Sequence, residues 1–135
     1  MLEELALDSS AAIEIFGDQP PAVLETVDRI VLPLPVVGEL RFGVVNAAEP
    51  WRDRLLTQLD RLISRARIVA ADLETTKTYA TVRAQIPFPT NMSRRREGSL
   101  LNDLWIAALC IQHELPLLTN DGDFERIEGL QVIHW

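Results

Sequence analysis

Cysteine occurs once, at Cys110, histidine twice, at His113 and His134, and lysine once, at Lys77. A lone cysteine excludes a disulfide within the chain. Its place inside an apolar run marks it as a small core residue rather than a nucleophilic thiol. The two histidines stand apart without metal-ligand spacing, which speaks against a zinc site. No Ser–His or Cys–His arrangement offers a nucleophile. No apolar run approaches the roughly 20 residues of a bilayer-spanning helix. The opening Met-Leu-Glu-Glu lacks the basic start of a secretory signal. With the cysteine usage, this leads us to expect a cytoplasmic protein with no membrane contact. Basic charge is also scarce: 13 Lys and Arg stand against 20 Asp and Glu, a net charge of −7. That argues against nonspecific nucleic-acid binding by the whole surface.

The chain has 135 residues, 47% hydrophobic and 24% charged. This fits one domain over residues 1–135 with a full core. The positive charge is clustered. Arg52, Arg54, Arg61, Arg65 and Arg67 face only Asp53 and Asp60 in residues 51–67, and Arg94, Arg95 and Arg96 stand together. Twelve of the 13 basic residues are arginine, the side chain best matched to phosphate.

The most informative stretch runs from Asn102 to Phe124. Leu104 to Ile111 is an unbroken apolar run without alternation, which predicts a helix buried on most sides. Asn102 or Asp103 stands where a cap belongs, so Asp103 is expected at the positive end of that helix. Pro116 then opens a short apolar strand through Thr119, left by the polar turn Asn120-Asp121-Gly122-Asp123. In an open α/β sheet, ligands bind beyond the carboxyl ends of strands, and Asp121 lies at such an end.

Leu5-Ala6-Leu7 predicts a first strand, with Asp8 at its exit and Ser9 or Ser10 as cap of a helix from Ala11. Pro20 or Pro21 can open a short helix to about Asp28. Arg29–Pro33 predicts a second strand, and Pro35 the first turn of a helix that carries Glu39 in its second turn. Further helices are expected from Trp51 to about Ala66 and, capped by Asp72, to about Ile86. They flank a third strand, Arg67-Ile68-Val69. Residues 87–99 read as a loop containing the three arginines. A turn of helix near Phe124 and a last strand, 130–133, complete the chain. Strands alternating with helices predict an α/β fold of three layers, with a four- to five-stranded parallel sheet flanked by helices.

Four acids, Asp8, Glu39, Asp103 and Asp121, follow strands or sit early in the helices after them. Such a fold can bring all four to one sheet edge. Clustered carboxylates disfavour one another's ionisation, and a divalent cation reverses that sign. Oxygen ligands with waters suit Mg²⁺ or Mn²⁺, whose chemistry is phosphodiester hydrolysis.

The pieces Leu7-Asp8-Ser9-Ser10-Ala11, Val37-Gly38-Glu39-Leu40-Arg41-Phe42-Gly43, Asn102-Asp103-Leu104-Trp105-Ile106-Ala107-Ala108 and Thr119-Asn120-Asp121-Gly122-Asp123-Phe124 resemble, in order and spacing, PIN-domain ribonucleases of the VapC type, the toxins of toxin–antitoxin pairs. The resemblance implies RNA cleavage with Mg²⁺ or Mn²⁺ at Asp8, Glu39, Asp103 and Asp121, with Asp8, Asp103 and Asp121 as metal ligands. Ser9 or Ser10 would order the pocket, beside Asn102 and Asp123 as supporting residues. Asp121 is favoured over Asp123 as the fourth acid because it is nearer the strand end. It further implies a homodimer and a cognate antitoxin covering the pocket. Arg94 to Arg96 are expected to contact RNA. The segment 87–99, with two prolines and three arginines, is longer than the family's usual Gly-containing turn. Two rivals fit less well. A phosphoacceptor signalling domain wants an adjacent acidic pair after its first strand, where Ser9 follows Asp8, and a late lysine, whereas Lys77 is expected in a helix. A catalytically dead PIN-like binding module would have no need of all four acids.

Overall fold

The computed structural model describes residues 2–135. Its strands are short and apolar because they are covered on both faces. They are β1 (Glu4–Leu7), β2 (Arg29–Pro33), β3 (Arg67–Val69), β4 (Leu117–Leu118) and β5 (Val132–Ile133). All pair in parallel, in the order β3-β2-β1-β4-β5. Ala6 stands opposite both Val31 and Leu117, and Leu7 opposite Leu118. Helices α1 (Ser9–Glu14), α2 (Leu34–Asn46), α3 (Trp51–Arg65), α4 (Leu73–Gln85) and α5 (Arg94–Gln112) flank the sheet. Two 3₁₀ turns, Ala22–Thr26 and Gly122–Arg126, complete the fold. The expected parallel α/β architecture is thus present, with five strands.

The strand order matters for function. The chain runs outward from β1 through β2 to β3, then returns to add β4 and β5 on the other side of β1. The topology therefore switches between β1 and β4, and a crevice opens beyond their carboxyl ends. Asp8 leaves β1 there, and Thr119 to Asp121 leave β4.

Several local expectations are corrected. Helix α5 begins at Arg94, capped by the Ser93 hydroxyl, which accepts a hydrogen bond from the Arg96 amide at 3.1 Å. Neither Asn102 nor Asp103 is its cap. The apolar run is only the buried half of a 19-residue helix, whose first turns are polar and so carry no hydrophobic signal. Arg94, Arg95 and Arg96 therefore lie in the first helical turn rather than in a loop, and the loop before it is correspondingly shorter. At the other end of the chain α1 begins at Ser9, and Asp8 itself caps it, not Ser9 or Ser10. The segment after Pro21 is a single 3₁₀ turn. Asp72 caps α4 as expected, in a reciprocal capping box with Thr75.

The core sits between sheet and helices. Leu5, Leu7, Leu32, Leu117 and Leu118 from the strands meet Leu104, Ile106 and Leu109 from α5 and Phe124 from the last 3₁₀ turn. Helix α4 is fixed along α5 by a parallel stack of Tyr79 on Trp105, with ring centroids 3.8 Å apart. Thr75, Asp72 and Gln112 join the same two helices by hydrogen bonds. Across the sheet, the Arg67 guanidinium of β3 grips both Glu4 oxygens of β1, at 2.7 and 2.9 Å, past the intervening β2. That bond holds the Glu4 carboxyl below its usual range. Among the described residues no helix is long and apolar enough to cross a membrane.

Leu104 is fully buried beside Asp103, so Leu104→Ala leaves a cavity where α5 meets the sheet. It should lower the unfolding free energy by roughly 2–5 kcal/mol in urea titration. A loss well under 1 kcal/mol would mean that α5 does not anchor the core.

Candidate functional site

Asp8 is the most constrained residue at the switch point. It is 5% exposed. Its Oδ1 accepts hydrogen bonds from the Ala11 amide at 2.9 Å and the Ser10 hydroxyl at 2.7 Å. Its Oδ2 accepts from the Thr119 hydroxyl. A buried carboxylate needs such donors, since burial without them is costly. Thr119, fully buried, also accepts the Asp121 amide at 2.9 Å. One hydroxyl thus ties the exit of β1 to the exit of β4. On sequence alone Thr119 is only the end of a strand. The signal that would have found it is a hydroxyl residue two places before an Asp at a strand exit.

Asp121 caps the final 3₁₀ turn through Oδ1, which accepts the Asp123 amide at 2.9 Å. The Asp123 side chain turns elsewhere and pairs with Arg96 and Arg126. From α2, Glu39 is held at both oxygens: Ser9 donates to Oε2 and the Asn102 amide nitrogen to Oε1. The two serines therefore divide their work, Ser9 toward Glu39 and Ser10 toward Asp8 and the Asn120 amide. Asn102 and Asp103 are adjacent in α5, and together they bring the helix against both sides of the crevice.

Asp103 is partly buried in the third turn of α5, away from any helix-end dipole. Its carboxyl is pushed up from 3.8 to about 7, first by burial, then by the negative charges of Asp121, Glu39 and Asp8. Arg96 acts in the opposite direction. The dipole expected to stabilise Asp103 is absent, and repulsion from the other three acids takes its place. This coupling is the physical sign that Asp8, Glu39, Asp103 and Asp121 share one neighbourhood. Cys110 is buried, and burial, joined by the Asp8 charge, pushes its thiol up to about 12.

Among the described residues no three His, Cys, Asp or Glu side chains are gathered into a group that could hold a metal ion as they stand. The donor set is nevertheless all hard oxygen. Mg²⁺ takes one or two carboxylates and keeps several waters rather than a closed protein cage. The negative charge of Asp121, Glu39 and Asp8, which adds to burial in raising Asp103, is what a divalent cation would offset. On chemistry, the residues fit the group.

Beside this edge an apolar groove of about 390 Å³ runs from Glu39 between α1, α2 and α3, lined by Ile13, Phe16, Leu40, Val44 and Leu59.

The PIN domain family model matches residues 5–130. Ribonuclease VapC5 of Mycobacterium tuberculosis is 31% identical over 103 residues, 76% of this chain and 71% of that protein. Ribonuclease VapC4 of the same organism is 28% identical over 100 residues, 72% of this chain and 70% of that protein. Among solved structures, VapBC-5 of M. tuberculosis, from a toxin–antitoxin family, aligns with a TM-score of 0.73 at 26% identity over 98% of both chains. VapBC2 of Rickettsia felis, bound to a promoter DNA fragment, shares the fold with a TM-score of 0.77 at 21% identity, again over 98% of both. The chain belongs to the PIN-domain family and, within it, to the VapC type.

Proposed function

We propose that this protein is an endoribonuclease that hydrolyses RNA phosphodiester bonds with Mg²⁺ or Mn²⁺, the toxin half of a toxin–antitoxin pair acting in the cytoplasm. The observation that carries the reading is geometric: at the switch point Thr119 joins Asp8 to the Asp121 amide, and Asn102, next to Asp103, holds Glu39. The relatives' names support it: VapC5 and VapC4 are ribonucleases.

In this reading Asp8, Asp103 and Asp121 hold the cation and Glu39 completes the acidic set. A bound divalent ion supplies polarisation of the phosphoryl oxygens and lowers the barrier for water to attack phosphorus. The chain's own residues do the positioning. Ser10, Thr119 and the α1 amide fix both Asp8 oxygens. Ser9 and Asn102 hold Glu39 in one orientation, as a group that takes a proton from the attacking water must be. Arg94, Arg95 and Arg96, exposed in the first turn of α5, offer phosphate contacts to a single-stranded or looped substrate, whose unstacked chain can reach a recessed edge.

The reading includes a homodimer and a cognate antitoxin, in keeping with the toxin–antitoxin complexes among the structural neighbours. A partner segment that brings Arg or Lys to the acids would offset the same repulsion that a cation offsets.

Asp103→Asn tests the site directly. It should fold normally, lose most of the thermal stabilisation that Mg²⁺ gives the parent, and lose most cleavage of a single-stranded RNA. The parent should be inactive in excess chelator. Full cleavage by a chelated, nuclease-free preparation would refute the metal requirement, and a fully active Asp103→Asn would remove Asp103 from the site.

The raised Asp103 carboxyl also sets a pH dependence. Between about pH 4 and 7 the folded protein keeps a proton here that the unfolded chain has released. This contribution is complete below pH 4 and is lost as pH rises through 7. In chelator, the parent should therefore lose more stability between pH 5 and pH 8 than Asp103→Asn, as measured by urea unfolding. Equal slopes would mean that neither burial nor the neighbouring acids raise this carboxyl.

Thr119→Val keeps the shape but leaves an Asp8 oxygen and the Asp121 amide without their shared partner. It should cost about 1–3 kcal/mol of stability and weaken metal-induced stabilisation, while Thr119→Ser restores both. A silent Thr119→Val, by calorimetry with and without Mg²⁺, would show that the hydroxyl positions neither acid.

A further inference from the structure

Asp123 carries two arginines. Its Oδ2 pairs with Arg96 from α5, and its Oδ1 lies 3.5 Å from Arg126, one turn on in its own 3₁₀ segment. One carboxylate between two guanidiniums leaves this group with a net charge of +1. Surface pairs of this exposure add little to stability, and neutralising Asp123 needs only one partner. The location is the informative part. Arg96 and Asp103 are seven residues apart on α5, two turns and roughly 10 Å along one helix face. The Asp123 amide supports Asp121, so the ion pair spans the rim between the two elements that carry Asp103 and Asp121. The charges of Asp121 and Asp103 are both felt at the Arg96 guanidinium. Arg94 and Arg95 make no ion pair among the described residues.

A phosphodiester approaching four carboxylates is repelled. A cation fixed at their rim is what makes the approach favourable, and a guanidinium offers forked donors that match phosphate oxygens. We propose that Asp123 is a positioning residue that holds the Arg96 guanidinium at the rim of the acidic edge, and that Arg96 there grips a phosphate of the RNA strand beside the bond being cut. Arg126 keeps Asp123 compensated while Arg96 engages the phosphate. Asp123 is then spent on arginines rather than on a metal, which leaves Asp121 as the fourth acid. This inference rests on the ribonuclease reading.

The test compares Arg96→Gln, Arg96→Lys, Asp123→Asn and the double variant Arg96→Gln/Asp123→Asn. Binding of a labelled single-stranded RNA oligonucleotide is measured in chelator across salt concentrations, and its cleavage in Mg²⁺ or Mn²⁺. Arg96→Gln should weaken binding roughly tenfold or more, raise KM with kcat little changed, and flatten the logarithmic salt slope by about 0.7. Arg96→Lys should recover the slope but not the full affinity. Asp123→Asn separates positioning from bulk charge. Removing a negative charge near RNA should tighten binding if only charge mattered, whereas loss of positioning lowers kcat/KM. In the Arg96→Gln background Asp123→Asn should cost nothing further, and alone it should leave Mg²⁺-induced thermal stabilisation intact. Unchanged or higher kcat/KM in Asp123→Asn overturns the positioning role, as does loss of its metal stabilisation. An unchanged KM and salt slope in Arg96→Gln overturns the phosphate contact. A parent that cleaves nothing with either metal overturns the ribonuclease reading itself; if Arg96→Gln still flattens the salt slope there, the phosphate contact stands without it.

Discussion

A carboxyl buried beside other carboxylates at the β1–β4 switch point is the constraint on which the site depends. Burial first, and then the charges of Asp121, Glu39 and Asp8, raise the Asp103 carboxyl to about 7. A fold would not assemble such a group without holding each member firmly. Asp8 is saturated by three donors, Glu39 by two, and Asp121 is bound into a helical turn. Hydroxyls and amides do this work in preference to salt bridges. A neutral donor orients a carboxylate while leaving the edge negative.

How much of this was legible in the sequence differs by residue. Short apolar runs between helices defined the strands well, because a parallel sheet buried on both faces has no alternation to misread. The span of β2 was read correctly residue for residue, and β1 and α3 to within a residue. The acids stood out because strand exits and early helix turns are where a site belongs. The start of α5 was missed because hydrophobicity marks only the half of a helix that is covered. The polar first turns, Arg94 to Ser99, are mostly exposed and show no periodic signal. The true cap, Ser93, stands well before the apolar run, whereas Asn102-Asp103 adjoins it. The Thr119–Asp8 bond and the Arg96–Asp123 pairing lie beyond sequence reading for another reason. Both depend on contacts across long chain separations, which spacing along the chain does not encode.

Helix α5 emerges as the ruler of the site. It carries Arg96 at the rim, Asn102 against Glu39 and Asp103 among the acids, spaced along one rigid rod. Its buried half is locked into the core by Leu104, Ile106 and Leu109 and bound to α4 by the Tyr79–Trp105 stack. Distances between these groups are therefore set by helical rise rather than by loop conformation.

The single cysteine gives that rod a built-in reporter. Cys110 is fully buried on α5, and its thiol is held protonated far above neutral pH. Alkylating reagents need an exposed thiolate, so they reach it only when the helix leaves its bed. With no second thiol in the chain, the rate of labelling is a clock for that one opening. Any ligand that bridges the crevice slows the clock in proportion to how tightly it clasps α5 to the sheet.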